Sequence, residues 1–364
     1  MEDSAQAGVQ ALPFAVREHC KQQDCREVCR LAFESWRGLK DGDLEVTEVS
    51  GGVTNVLLKV EAPQSSGLSP VVVRVFGNNT EKFIDRGTEA KCIKALAPLG
   101  FGAQVLAEFS NGRIEAFLDC HTLEPEELAH PVLSARIACK LHEFHSTEVD
   151  IPRVPQLFPL VRKFISVANS ISFTKAEDQK RFEGLHLDRI AAELDELEQM
   201  CVDSRSPVVF THNDLLAGNI LLLRDPGSGG FDNEKGTMTF IDFEYGCYSF
   251  RGFDFGNHFN EYAGFECDWS RYPNHDQQRR FVAAYLQHGT EVPPTDEEVE
   301  RLVAEADLFS LASHIFWGVW AILQAGFSPI DFDYLEYSQN RLGEYYRRRG
   351  DVMRMAREFL LMGN

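Results

Sequence analysis

Residues 44–49 and 53–61 alternate apolar and polar side chains, the period of a half-buried strand, and flank Ser50-Gly51-Gly52. Residues 70–76 form an apolar run with one charge, Arg74, and read as a third strand. Helical spacing follows over 81–96. Strands at 105–109 and 113–118 then flank Asn111-Gly112, a dipeptide suited to a tight hairpin. Residues 1–41 read as helical and partly amphipathic. From about Asp119 helical periodicity dominates, over 131–145, 185–200, 277–288, 297–324 and 334–348. Short strands at 207–210, 220–223 and 237–241 interrupt it, the last two joined by a loop containing Pro226-Gly-Ser-Gly-Gly230. This order predicts an α+β chain with three parts. They are a helical extension over 1–41, a small β-rich lobe over 42–119, and a larger, mostly helical lobe over 120–364, with a cleft expected at the lobe junction.

Composition narrows the partners. Of 364 residues, 44% are hydrophobic and 25% charged, as in soluble globular proteins. Lys and Arg total 36 against 56 Asp and Glu, giving a formal charge of −20. Such a surface disfavours nucleic acid and anionic membrane. It is compatible with a cationic small substrate, and a nucleotide would need its own positive site. The nine cysteines contain no Cys-x-x-Cys pair, and Cys25-x3-Cys29 lacks a matching pair downstream, so no zinc site is expected. Thiols in a reducing cytoplasm are expected instead. The start, Met1-Glu-Asp-Ser, is acidic and not a secretory signal. Residues 308–327 lack Asp, Glu, Lys and Arg and are long enough to span a bilayer. Ser310, Ser313, His314 and Gln324, with Glu305 and Asp307 just before, favour a buried core helix and no membrane span.

The chemistry concentrates in two segments, Phe210-Thr-His-Asn-Asp-Leu-Leu-Ala-Gly-Asn219 and Thr239-Phe-Ile-Asp-Phe-Glu-Tyr245. The spacing His212-x-Asp214-x4-Asn219, followed by Asp242, has the order of a kinase catalytic loop and its magnesium carboxylate. Phosphoryl transfer needs a base facing the attacking hydroxyl, here Asp214, and oxygen ligands for Mg²⁺, here Asn219 and Asp242. A hairpin of 220–223 with 237–241 would bring those two ligands together.

Other residues allow two readings. Gly51, Gly52, Thr54 and Asn55 lie in a turn whose backbone amides would suit phosphate, though a Gly-Gly hairpin also serves as a plain turn. Arg74 in its apolar strand needs a partner, either a phosphate or Glu89 on the following helix. In Phe250-Arg-Gly-Phe-Asp-Phe-Gly-Asn-His-Phe-Asn-Glu-Tyr262, Asp254 is expected to bond and orient the catalytic loop. Glu261 either faces an ammonium group or is merely solvated. Ser313, Trp317, Trp320 and Gln324 share one helical face, with Phe332 and Tyr337 shortly after. Such a face is either core or a wall for a cation.

Together these residues resemble the choline/ethanolamine kinase family, from about Val49 to Tyr346. The matches are Thr211-His-Asn-Asp-Leu-Leu-Ala-Gly-Asn219, Ile241-Asp-Phe-Glu-Tyr245, Tyr248 through Glu261, and Ser313-His-Ile-Phe-Trp-Gly-Val-Trp320. The resemblance implies a protein-kinase-like two-lobed fold and Mg-ATP-dependent phosphorylation of a small amino alcohol. It implies Asp214 as base, Asn219 and Asp242 on magnesium, and Arg74 on the ATP phosphates. Glu261, Tyr245, Trp317, Trp320, Phe332 and Tyr337 would surround the amino alcohol. Gly51-Gly-Val-Thr-Asn55, His212-Asn-Asp-Leu-Leu216 and Asn260-Glu-Tyr-Ala-Gly264 look more like ethanolamine kinases. Choline kinases tend to carry Gln where Leu216 stands, and Phe250 occupies a place where Tyr is common. The expected activity is therefore ethanolamine phosphorylation, which opens the CDP-ethanolamine route to phosphatidylethanolamine, with choline or both as the alternative. A non-catalytic scaffold predicts a lost base or metal ligand, and none is lost. A protein kinase would carry an Ala-Pro-Glu activation segment, absent after Asp242-Phe-Glu244. A homodimer is admitted as an assembly.

Overall fold

A computed structural model describes residues 9–49, 55–77, 85–225, 227–328 and 330–361. The chain divides into two compact units, residues 1–86 with 93–119, and residues 87–92 with 120–364. In the first unit the alternating segments form β2 (Glu45–Val49), β3 (Asn55–Glu61) and β4 (Val71–Phe76), after β1 (Gln10–Leu12) and α1 (Lys21–Ala32). Helix α2 (Arg86–Leu96) follows, then β5 (Val105–Phe109) and β6 (Gly112–Ala116). The six strands order as β1-β5-β6-β4-β3-β2. Register pairs Val46 with Val60, Val60 with Val71, and Val73 with Ile114, so one face of the sheet carries a continuous apolar core.

Residues 9–41 belong to the first unit. β1 pairs in parallel with β5, and Cys25, Val28, Cys29 and Trp36 enter the core of the sheet. Cys25, Val28 and Cys29 follow i, i+3, i+4, a single apolar stripe. A helix of 12 residues is marginal alone and gains its stability by docking that stripe. Arg17 secures the entry by bonding the buried Asp24 carboxylate at 2.7 Å.

The second unit begins with β7 (Cys120–Thr122) and α3 (Pro131–His145), followed by α4 (Leu157–Ala168), α5 (Ala176–Glu183) and α6 (Leu187–Asp203). Next come β8 (Val208–Thr211), β9 (Ile220–Leu223), β10 (Met238–Phe240) and β11 (Cys247–Phe250). Helices α7 (Arg251–Glu261), α8 (His275–Gln287), α9 (Asp296–Phe327) and α10 (Tyr334–Ala356) complete it. Its strands form two small sheets, β10-β9-β7 and β11-β8.

Helix α9 is the axis of this unit. Thr295 and Glu298 form a capping box at its start, satisfying two otherwise orphaned amides. Its 32 residues span about 48 Å. It is long and apolar enough to cross a membrane, but 94% of its most apolar window is buried, because α4, α7, α8 and α10 pack around it. Gly256 lets α7 meet α9 almost backbone to backbone: a Cβ there would lie 2.6 Å from the Ala306 carbonyl oxygen. Gly256→Ala should therefore force the helices apart and destabilise the fold by about 1–3 kcal/mol. Urea unfolding measures it, and an unchanged midpoint would contradict the close packing.

Candidate active site

β8 delivers the chain into the loop 212–219, and β9 carries it away. β9 and β10 pair antiparallel with Ile220 opposite Phe240, and the Ile241 amide donates to the Asn219 carbonyl at 3.0 Å. That register places Asp242 beside Asn219. Asn213 and Asp242 both hold φ of 66°, a left-handed conformation that non-glycine residues adopt only when their surroundings impose it.

Those surroundings are visible. Asp254, buried in the first turn of α7, accepts from the His212 amide at 2.8 Å and the Asn213 amide at 2.6 Å. This is the loop-orienting role expected from sequence. His145 Nε2 adds a third donor at 2.9 Å. Burial opposes ionisation of Asp254, yet these donors hold its carboxyl below the ordinary value. The Asn213 side chain donates to the Tyr245 carbonyl at 2.7 Å. His212 Nε2 must donate to the Ile241 carbonyl, 2.9 Å away, so Nδ1 is left to accept from the Asp214 amide at 3.3 Å. Burial pushes the His212 pKa down, in keeping with that neutral tautomer.

Asn219 Nδ2 donates to the Asp214 carbonyl at 2.8 Å and to its Oδ2 at 3.1 Å. Asp214 itself has a pKa raised well above the usual range, first by burial and then by the negative charges of Glu261, Asp242 and Glu244. Asp214 thus has three other carboxyl groups within electrostatic reach, and such a concentration of negative charge calls for cations. The donor set fits Mg²⁺: hard oxygens from Asn219 and Asp242, with the remaining positions left to phosphates and water. Among the described residues no three His, Cys, Asp or Glu side chains gather to hold a metal by themselves.

Asp242 leads through Phe243 and Glu244 directly to the aromatic wall. Trp320 Nε1 donates to the Tyr245 hydroxyl at 2.7 Å. Trp317 lies edge-on to both, with ring centres 5.2 Å from Tyr245 and 5.2 Å from Trp320. Phe332, 39% exposed, contacts the rings of Tyr334 at 4.8 Å and Tyr337 at 6.1 Å. Glu261 is neither solvated nor without a partner: Arg341 Nη1 bonds its Oε1 at 2.9 Å. Arg341, Tyr334 and Phe265, whose ring lies 5.8 Å from that of Tyr337, were not singled out by the sequence. Aromatic residues outside the α9 face carry no periodic signal, and Arg341 sits in a helix that carries several other arginines, among them Arg349, paired with Glu196.

In the first unit, Gly51, Gly52 and Thr54 lie outside the described residues. The buried Asn55 accepts from Arg86 Nη2 at 3.1 Å. Arg74 Nε bonds Glu115 Oε1 at 3.2 Å, and Arg113 Nε reaches the same oxygen at 2.5 Å. Glu115 is thus one fixed partner of Arg74. Arg74 stands opposite Arg113 on β6, so Glu115, two residues on, points to the same face. Burial raises the Glu115 pKa, but the two guanidinium groups overcome it and hold the carboxyl below its ordinary value. Glu89, in the second unit, is buried.

A family profile described as choline/ethanolamine kinase matches residues 46–346. The chain belongs to the choline/ethanolamine kinase family. It is 41% identical over 324 residues to a probable ethanolamine kinase of Arabidopsis thaliana, covering 89% of this chain and 84% of the relative. It is 37% identical over 332 residues to a probable ethanolamine kinase A of Dictyostelium discoideum, covering 90% and 92%. Its fold matches that of an ethanolamine kinase from Plasmodium vivax with a TM-score of 0.76 at 30% identity, over 90% of this chain and 89% of that one. Family membership confirms the protein-kinase-like fold and makes ATP the co-substrate and an amino alcohol the acceptor.

Proposed function

We propose that this kinase transfers the γ-phosphoryl group of ATP to the hydroxyl of ethanolamine, yielding phosphoethanolamine and ADP. The single observation that carries the reading is the rigid sequence-to-space path from Asp214 through Asn219 and Asp242 to Tyr245 and its tryptophan partners. Asp214 accepts the hydroxyl proton as the oxygen–phosphorus bond forms and the bond to the ADP oxygen breaks. Its raised pKa suits a base that must hold a proton during the transfer. Bound Mg²⁺, held by Asn219 and Asp242, would neutralise phosphate charge. Arg74 and residues 51–55 are assigned to the phosphates. Trp317, Trp320 and Tyr245 would offer ring faces to the ammonium end, and Phe332 and Tyr337 flank it.

Ethanolamine is favoured over choline because a primary ammonium carries three N–H donors that require acceptors, and Glu261 with the Tyr hydroxyls supplies them. Choline needs only charge and aromatic faces. All nine cysteines are free thiols, the state a reducing cytoplasm maintains, and we place the enzyme there. The test is ADP release by the purified protein with Mg-ATP. Turnover with ethanolamine, at a higher kcat/KM than with choline, is expected. Equal silence with both would refute the reading, and a higher kcat/KM for choline would reverse the preference.

A further inference from the structure

Arg341 carries a full positive charge beside the pocket that is to receive a cation. It is 1% exposed, and it lies between three segments rather than on the surface. Nη1 bonds Glu261 Oε1 on α7 at 2.9 Å and the Tyr337 hydroxyl at 2.9 Å. Nη2 bonds the Ser313 hydroxyl on α9 at 2.8 Å and the Ser313 carbonyl at 3.3 Å. Ser313 is itself fixed, receiving Asn260 Nδ2 at 3.0 Å and donating to Asn257 Oδ1 at 2.8 Å. Ser313 shares its helical face with Trp317 and Trp320, so this network ties the aromatic wall to the acidic residue below it.

A buried guanidinium without a counter-charge would repel an ammonium ligand and would itself be costly. Glu261 cancels that charge through one oxygen. Its other oxygen makes no hydrogen bond among the described residues, and its negative charge reaches Asp214. One carboxylate therefore serves two cations, a permanent one and a transient one.

Resting on the proposed ethanolamine reading, we propose that Arg341 is the positioning residue that sets the preference for a primary over a quaternary ammonium. It pins Glu261 by Oε1 and Tyr337 by its hydroxyl, so that directional acceptors stand ready for N–H donors. A quaternary head donates no N–H bonds and gains only from charge and ring faces, so it is indifferent to that orientation. Only the planar fork of arginine reaches Glu261, Tyr337 and Ser313 together; a lysine would keep the charge and lose the geometry.

The experiment compares kcat/KM for ethanolamine and choline in wild type, Arg341→Lys and Arg341→Met, together with KM for ATP. The expected result is a KM for ethanolamine raised about tenfold or more, little change in kcat, and an unchanged KM for ATP. The ethanolamine-to-choline ratio of kcat/KM then falls about tenfold in both variants. A purely structural Arg341 would lower both substrates together, and an unchanged ratio overturns the inference. If Arg341→Met does not fold, Arg341→Lys, which keeps a positive charge beside the intact Glu261, reads the same ratio alone. There too a fallen ratio supports the inference and an unchanged one overturns it. A wild-type enzyme silent with both amino alcohols would instead refute the underlying reading. Wild-type turnover with an unchanged ratio in the variants would refute this inference alone.

Discussion

Asp214→Asn should lower kcat by about 10²–10⁴-fold while leaving ATP affinity near that of wild type. The substituted amide oxygen can still accept from Asn219 Nδ2, which now bonds Asp214 Oδ2 at 3.1 Å, so the loop keeps its shape. What disappears is the group that receives the hydroxyl proton. The same change should leave stability unharmed or raise it. Asp214 is desolvated and crowded by Glu261, Asp242 and Glu244, which hold its pKa well above the ordinary value. A carboxyl with a raised folded pKa costs stability increasingly as pH climbs from about 4 toward that raised value, and the amide removes the cost. Single-turnover phosphoryl transfer, nucleotide titration and a thermal scan at pH 7 separate the three effects. Unchanged turnover would remove Asp214 from the role of base. Lost turnover with a lowered thermal midpoint would mean the loop had collapsed instead.

The catalytic loop was legible because its pattern is local. The side chains proposed as base and metal ligands, and the strands that pair around them, lie within Phe210–Tyr245, and a hairpin needs only short-range signals to be foreseen. The tryptophan face was legible for a similar reason, since residues on one helix face obey a fixed period. Helix α7 was not drawn as a helix, although its residues were noticed one by one. Ten of its 11 residues are buried, so no stripe of 3.6 periodicity separates an inner from an outer face. The partners of buried charges were equally hidden. Arg341 and Glu261 stand 80 residues apart, and Arg74 and Glu115 stand 41 apart on strands that are not consecutive. Periodicity says which side of an element a residue faces. It does not say which charge waits on the other side, because that depends on how helices and strands from distant segments are laid together. Residues 9–41 were legible only as a partly amphipathic stretch, because the strands whose core α1 enters come from segments spread between Glu45 and Ala116.

Asp254→Asn tests the support beneath the base, and both stability and turnover should respond. The carboxylate takes His145 Nε2 and the His212 amide on Oδ2 and the Asn213 amide on Oδ1. An amide side chain offers one accepting oxygen and one donating nitrogen, so at least one buried N–H is left facing another donor. The expected loss of stability is about 2–4 kcal/mol at pH 7. With it goes the restraint on Asn213, whose left-handed backbone turns the chain into Asp214. A displacement of the base by about 1 Å would slow turnover about 10²-fold even in the molecules that remain folded. The pH dependence carries its own sign. The folded pKa of Asp254 lies below the ordinary value, so its contribution is present above about pH 4 and is lost as pH falls through the lower folded value. Urea unfolding of wild type and variant should therefore show a gap that is constant between about pH 5 and 7 and narrows below about pH 4. A variant as stable as wild type at pH 7 would show that the three donors find other acceptors and that the loop is held from elsewhere.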